Sequence, residues 1–174
     1  MPLFLITGLP GSGKSTVNAE LKARGYESYD SDEDRLAKWY NNRTGVAIEE
    51  EHYVEHSPDF LRNHSRDISR EAVEKLAAKA QGKSVFLCGD GENEEELQDL
   101  FDEIFALILD YETRSHRLAT RTNNSWGKLP REREYSDEYG KKWEIIRRQF
   151  AYTTINAAQP TNKIVDQILA KIGG

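Results

Sequence analysis

One cysteine is all the chain holds in 174 residues, so no disulfide can form within it. Cys88 sits in the apolar run Val85-Phe86-Leu87-Cys88 and reads as a buried, inert thiol suited to a reducing compartment. Long apolar runs are missing too, and none approaches the roughly 18 residues that a membrane span requires. The first strand is expected within three residues of the start, with no basic, apolar, small-residue leader before it. A cytoplasmic protein is therefore expected, and the sequons at Asn42, Asn63 and Asn123 carry no meaning for glycosylation. Positive charge is in deficit as well. A formal net charge of −6 and a pI near 5.3 exclude the basic field of a general nucleic-acid binder.

That charge is uneven. Asp90 to Glu103 holds eight acids and no base, which reads as a solvated helix face. Arg114 to Arg133 holds six Lys or Arg against Glu132 alone, a place where an otherwise negative protein can gather an anion.

The strongest pattern in the chain is Gly8-Leu9-Pro10-Gly11-Ser12-Gly13-Lys14-Ser15, directly after the apolar run Leu3-Phe4-Leu5-Ile6. It spells G-x-x-x-x-G-K-[ST], a phosphate loop between a strand and a helix. Glycines let the backbone curl around a polyphosphate with its N–H groups inward, and the helix from Gly13 through Ser15 and Thr16 aims its positive end at the same anion. Lys14 would reach the β- and γ-phosphates of ATP, and the Ser15 hydroxyl would ligate Mg²⁺.

Around this loop the chain alternates short apolar runs with amphipathic charged segments, the pattern of a parallel sheet covered by helices on both faces. A single domain over residues 1–174 is expected, long enough to bury about 70% of its unfolded surface. Five strands are predicted: Leu3 to Ile6, Tyr26 to Tyr29, Val85 to Cys88, Ala106 to Leu109 and Thr153 to Ile155. Helices are predicted from Gly13 to Gly25, Pro58 to Ala80, Glu94 to Phe101, Glu112 to Arg121, Ser136 to Tyr152 and Pro160 to Ile172. Two stretches resist the scheme. Residues 40–75 begin in an aperiodic acidic and aromatic segment and are expected to form a substrate cap, and residues 122–134 a lid, both near the ligand-binding edge of an open α/β sheet.

Phosphoryl transfer needs positioned oxygens, a divalent ion and cations on the migrating charge. Asp30-Ser31-Asp32 leaves the second strand beside the phosphate loop, and two carboxylates so spaced can divide the work. One would hold Mg²⁺ through water and the other would accept the acceptor's hydroxyl proton. The competing reading makes Asp32 the N-cap of a helix from Glu33. Arg117 and Arg121, four apart, share a helix face from which one can lie over a base and the other grip the γ-phosphate, unless they only pair with Asp110 or Glu112. Lys128, Arg131 and Arg133 follow on the lid, which would exclude water. Arg147 and Arg148 are candidates to meet the lid or the substrate, with a solvated face as the competing reading.

GLPGSGKST, YDSDED, VFLCGDG, RLATRTNN and NAAQP together resemble the small P-loop kinases of the shikimate, gluconate and adenylate kinase group, over nearly the whole chain. The resemblance implies a three-layer α/β fold with a five-stranded parallel sheet of order 2-3-1-4-5, and ATP- and Mg²⁺-dependent phosphorylation of a small molecule. It implies Asp30 as the Mg²⁺-associated acid, Asp32 as the substrate-contacting acid, Arg117 as the base-stacking arginine and Arg121 as the phosphate-contacting one. Ala157, Ala158, Gln159 and Pro160 would border the adenine. Lys14, Asp32 and Arg121 are thus the expected catalytic residues. Departures from the pattern bear on the acceptor. Asp90 interrupts the glycines after the third strand and would repel a carboxylate. Glu49 to Asp59 carries five acids and no Lys or Arg, although Arg43, Arg62, Arg66 and Arg70 could be aimed inward. A nucleoside or sugar is favoured over an anionic hydroxy acid or nucleotide. Trp39, Tyr40 and Tyr53 could stack on a base or simply form the core of the cap. The expected substrate set is Asp32, Trp39, Arg43, Asp90 and Arg148.

Three rivals are weaker. His52-Tyr53-Val54-Glu55-His56 spells the H-x-x-E-H of an inverted zincin, a short pattern that is cheap in an acidic stretch. Asn162-Lys163-Ile164-Val165-Asp166 has one residue too many for the guanine-reading N-K-x-D and falls in a predicted helix. A regulatory module that binds or hydrolyses ATP without an acceptor would need neither the paired acids nor a lid.

Overall fold

The computed structural model describes residues 2–48, 56–79, 82–122 and 126–173. Its elements run β1 (Leu3–Thr7), α1 (Lys14–Ala23), β2 (Glu27–Asp30), β3 (Ala37–Asn41), α2 (Pro58–Asn63), β4 (His64–Ile68), α3 (Arg70–Lys79) and β5 (Val85–Cys88). A 3₁₀ helix (Glu94–Leu100) follows, then β6 (Glu103–Ile108), α4 (Tyr111–Thr120), α5 (Pro130–Gln149), β7 (Thr153–Asn156) and α6 (Thr161–Lys171).

β1 is buried along its whole length, as the middle strand of a sheet with both faces covered must be. It pairs in parallel with β5 and β6, and the five strands take the order β2-β5-β1-β6-β7. This is the 2-3-1-4-5 order expected, renumbered because β3 and β4 intervene in sequence. The period of two along each strand splits the core. Leu3, Leu5, Val85, Leu87, Ile104 and Ala106 face α3, the 3₁₀ helix and α5. Phe4, Ile6, Phe86, Cys88, Phe105 and Leu107 face α1 and α6 through Val17, Leu21, Ile164, Val165 and Ile168. No helix among the described residues is long and apolar enough to cross a membrane.

The predicted helix from Pro58 to Ala80 is broken in three. Ser57 caps α2 by accepting the Phe60 N–H at 3.1 Å, the chain extends as β4, and α3 restarts at Arg70. β4 pairs antiparallel with β3, which the sequence did not reveal, in a two-stranded sheet separate from the main one. No helix starts at Glu33. The Asp30 carboxylate accepts the N–H groups of Asp32 and Glu33 at 3.0 and 3.2 Å, so Asp30 and not Asp32 caps this turn, and the chain passes on to β3. The predicted helix from Glu94 is 3₁₀, and α5 starts at Pro130, inside the stretch read as a lid.

Candidate functional site

Between β1 and α1 the loop Gly8 to Lys14 turns back on itself, with the Ser12 N–H donating to Leu9 O at 3.0 Å. Gly11 and Gly13 hold φ of 89° and 101°, a left-handed backbone that glycine adopts without penalty. A Cβ on Gly11 would press on Leu118 and Arg114 at 3.1 to 3.3 Å, whereas one on Gly13 would meet only Arg117 Nη1 at 3.8 Å. Packed on the protein side and clear on the other, the loop is a cradle of the shape a polyphosphate needs. Ser12 Oγ is buried with no partner among the described residues. Lys14 lies across the loop. Its ammonium donates to Gly8 O and sits 2.8 Å from Asp90 Oδ1.

The loop forms the floor of a cleft of about 840 Å³, in the range of small-molecule sites. At one end Pro10 to Thr16 meet Arg117, Ala157, Gln159 and Ile164. Arg117 lies along this end and donates to Ala157 O at 3.3 Å. Arg121, just past the end of α4, donates to Trp126 O at 2.6 Å, and its Nε has no partner among the described residues. Burial lowers the pKa of its guanidinium, opposed by Asp32, Glu132 and Asp90.

The far end is walled by Trp39 from β3, His56, Trp126 and Tyr135 from α5. The His56 ring lies 5.5 Å from Trp39 and 4.9 Å from Trp126, and Tyr135 is 6.1 Å from Trp39. Asp32, Arg66, Asp90 and Glu92 line the same end. Arg66 joins Asp32 at 2.7 Å and stands over the Trp39 ring at 5.9 Å. Glu92 accepts from the Tyr135 hydroxyl and from the Arg66 N–H. Burial raises the pKa of its carboxyl. Beneath the cleft Glu94 is fully buried, accepts the Thr7 hydroxyl at 2.5 Å, and has its pKa pushed up to about 8 by that burial.

Of the residues singled out in the sequence, the structure brings Pro10, Gly11, Ser12, Gly13, Lys14, Ser15, Thr16, Asp32, Trp39, Asp90, Arg117, Arg121 and Gln159 to one cleft. It leaves others outside. Gly8 and Leu9 sit behind the loop: a Cβ on Gly8 would come within 2.5 Å of Ser12 Oγ, and Leu9 packs against Gly140. Ala158 and Pro160 are exposed beside the lining residues Ala157, Gln159 and Thr161. Asp30 is buried beneath its turn and does not line the cleft, a placement compatible with its expected Mg²⁺ role only through water. Arg43 is exposed at the tip of the β3 hairpin, and Arg148 pairs with Glu144 on the outer face of α5 at 2.9 Å, so neither meets the cleft. The acidic block is not one solvated face either, because Asp90 and Glu92 line the cleft and Glu94 lies under it. Tyr135 and Tyr139, missed in the sequence, carried a usable signal in their i, i+4 spacing. His52, Tyr53 and Glu55 lie outside the described residues, while His56 faces Glu132 at 3.4 Å. Among the described residues no group of His, Cys, Asp and Glu gathers as a metal site. Asn162 and Asp166 are part of α6, where Asp166 pairs with Arg24 at 2.7 Å.

Residues 5–140 match the profile of the family described as AAA domain. No curated protein sequence matches the chain. Among solved structures, the chain is similar to a shikimate kinase from Acinetobacter baumannii in complex with shikimate, with a TM-score of 0.63 at 21% identity, covering 99% of this chain and 93% of that one. It is also similar to a gluconokinase from Sinorhizobium meliloti 1021, with a TM-score of 0.56 at 18% identity over 97% and 90% of the two chains. A deoxyadenosine kinase from M. mycoides with bound dATP matches at a TM-score of 0.56 and 17% identity over 100% of both. The fold is that of small P-loop kinases.

Proposed function

The chain belongs to the AAA domain family, and from that membership, the fold and the cleft we propose that it transfers the γ-phosphoryl group of ATP to a small-molecule hydroxyl. The observation that carries this reading is the shared cleft itself. A phosphate cradle with Lys14 and Arg121 opens into a second compartment lined by Asp32 and Asp90, so donor and acceptor can meet in one space.

Lys14 and Arg121 would oppose the charge of the migrating group, and Arg117 with Ala157 and Gln159 would border the base. Asp32 would take the acceptor's proton as its hydroxyl oxygen forms a bond to the γ-phosphorus and the bond from that phosphorus to the bridging oxygen breaks. ADP leaves with the electron pair. Ser15 and Asp90, both lining the cleft, would hold Mg²⁺, with the buried Asp30 left to act only through water. When bound, the ion would neutralise charge on the β- and γ-phosphate oxygens. Residues 40–75 would serve as the acceptor cap and 122–134 as the lid, drawn together by the Trp39–His56–Trp126 contacts.

The test is ADP release by the full chain with Mg²⁺-ATP, alone and with nucleosides, nucleotides, sugars and hydroxy acids in turn. Acceleration of at least tenfold by one acceptor, with phosphorylated product by mass spectrometry, is expected. ATP hydrolysis indifferent to every acceptor would instead fit a regulatory ATPase.

A further inference from the structure

Of the cations lining the cleft, Lys14 and Arg66 are paired with acids, and Arg117 and Arg121 are given above to the nucleotide. Lys14 sits 2.8 Å from Asp90 and Arg66 sits 2.7 Å from Asp32, while Glu92 adds a third carboxylate. With nucleotide and Mg²⁺ in place, an acceptor bearing a phosphate or carboxylate would enter beside Asp32 and Glu92, and like charges so placed disfavour it. The opposite wall is aromatic. Trp39, Trp126 and Tyr135 contact one another with ring centroids 5.8 to 6.2 Å apart and all line the cleft, an aromatic lining against which a flat ring can pack. Glu92 stands beside that wall, fixed from two directions on the same oxygen, Oε1, by Tyr135 and by the Arg66 N–H. Glu92 lines the cleft, so its carboxylate borders the space that a ligand's N–H or O–H would enter.

We infer that the acceptor is an uncharged alcohol carrying a flat ring, a compound of the nucleoside class, held by the Trp39–Trp126–Tyr135 wall and read by Glu92. This rests on the phosphoryl-transfer reading above. Trp39 and Glu92 are specificity-determining residues in this view. The wall binds the ring whatever its substituents, and Glu92 favours ring donors and disfavours an anion. A plain sugar offers no flat ring to the wall, and a sugar acid or nucleotide brings the charge the site repels.

The experiment follows tryptophan fluorescence of the full chain with saturating ADP and Mg²⁺, which occupy the nucleotide end. The probes are adenosine, guanosine, cytidine and thymidine, their 5′-monophosphates, glucose, gluconate and shikimate. At least one nucleoside should bind tenfold or more tightly than its own monophosphate and than the three non-nucleosides. Trp39→Leu should weaken that binding at least tenfold with ATP affinity changed less than twofold. Glu92→Gln, an isosteric change, should keep the nucleoside within about fivefold and cut discrimination against the monophosphate to below threefold. Tighter binding of a monophosphate or hydroxy acid, or no nucleoside binding at all, overturns the inference. Nucleoside binding without stimulated ADP release would support the ligand class and refute transfer, whereas ADP release stimulated only by an anionic acceptor would support transfer and refute the ligand class.

Discussion

Lys14 Nζ and Asp90 Oδ1 stand 2.8 Å apart, so the phosphate-loop lysine is tied to a carboxylate just past the end of the neighbouring strand β5. Its charge is parked where a γ-phosphate would compete for it. The pair is partly exposed, which limits its worth to the fold to about 1 kcal/mol or less. Lys14→Ala should therefore reduce transfer by about 10²- to 10³-fold, the scale of losing one charge-stabilising donor, with an unchanged circular-dichroism spectrum. Collapse of that spectrum would assign Lys14 to the fold.

Asp32 lines the cleft with its side chain 59% exposed and is held by Arg66 at 2.7 Å, a contact that orients it. Asp32→Asn should lower kcat by about 10²-fold or more while the Kd for ATP stays within twofold. Undiminished turnover would move the base elsewhere.

Glu94 makes stability depend on pH. Its carboxyl, ordinarily ionising at 4.5, is pushed up to about 8 in the folded protein by burial. The folded state thus retains a proton that the unfolded state has lost across that interval. This contribution is complete below the unfolded value and disappears as the pH climbs through the folded one, at about 1.4 kcal/mol per pH unit. Urea midpoints measured from about pH 5 to 8 should fall for the parent chain, with a shallower slope for Glu94→Gln. Equal slopes would show that the group ionises without cost.

Gly89 leaves no room for a side chain. A Cβ there would lie 2.0 Å from Ser31 Oγ and 2.3 Å from Ser31 Cβ, so β5 and the turn after β2 can close only on glycine. Gly89→Ala should cost about 1 to 3 kcal/mol in urea denaturation. Adding Ser31→Gly should recover part of the loss, which separates a clash from a general weakening of the turn.

The legible parts of this molecule were those where one local requirement decides the outcome. A buried central strand must read Leu3-Phe4-Leu5-Ile6, and a phosphate loop must place Gly11, Gly13 and Lys14 as it does. The β3–β4 hairpin was hidden because Ile68, Val73 and Leu76 keep helical spacing straight through the break, and because His64-Ser65-Arg66-Asp67-Ile68 buries only its last residue. Its strand character comes from pairing with Ala37–Asn41, which no window of local sequence contains. The same gap concealed half the cleft. Arg66 and Glu92 are 26 residues apart and meet only through that hairpin, where the Glu92 N–H also donates to Arg66 O at 2.9 Å. Glu92 itself was masked by acidic neighbours, which made a cleft residue look like surface.

Asn93 closes the join between that hairpin and the nucleotide-facing body, its amide receiving the Ile68 N–H and donating to Ile68 O, both at 2.9 Å. A further tether is the Ser31 carbonyl, which accepts the N–H groups of Leu36 and Ala37 at 2.9 and 2.8 Å. The two-stranded sheet shares no ladder with the five-stranded one and is joined to it by these bonds, by Arg66 with Glu92, and by Ala37 and Ile68 packed into the main core. Under the transfer reading proposed above, changes on the cleft side of that sheet would alter which acceptor is taken while Gly11, Gly13 and Lys14 stay as they are.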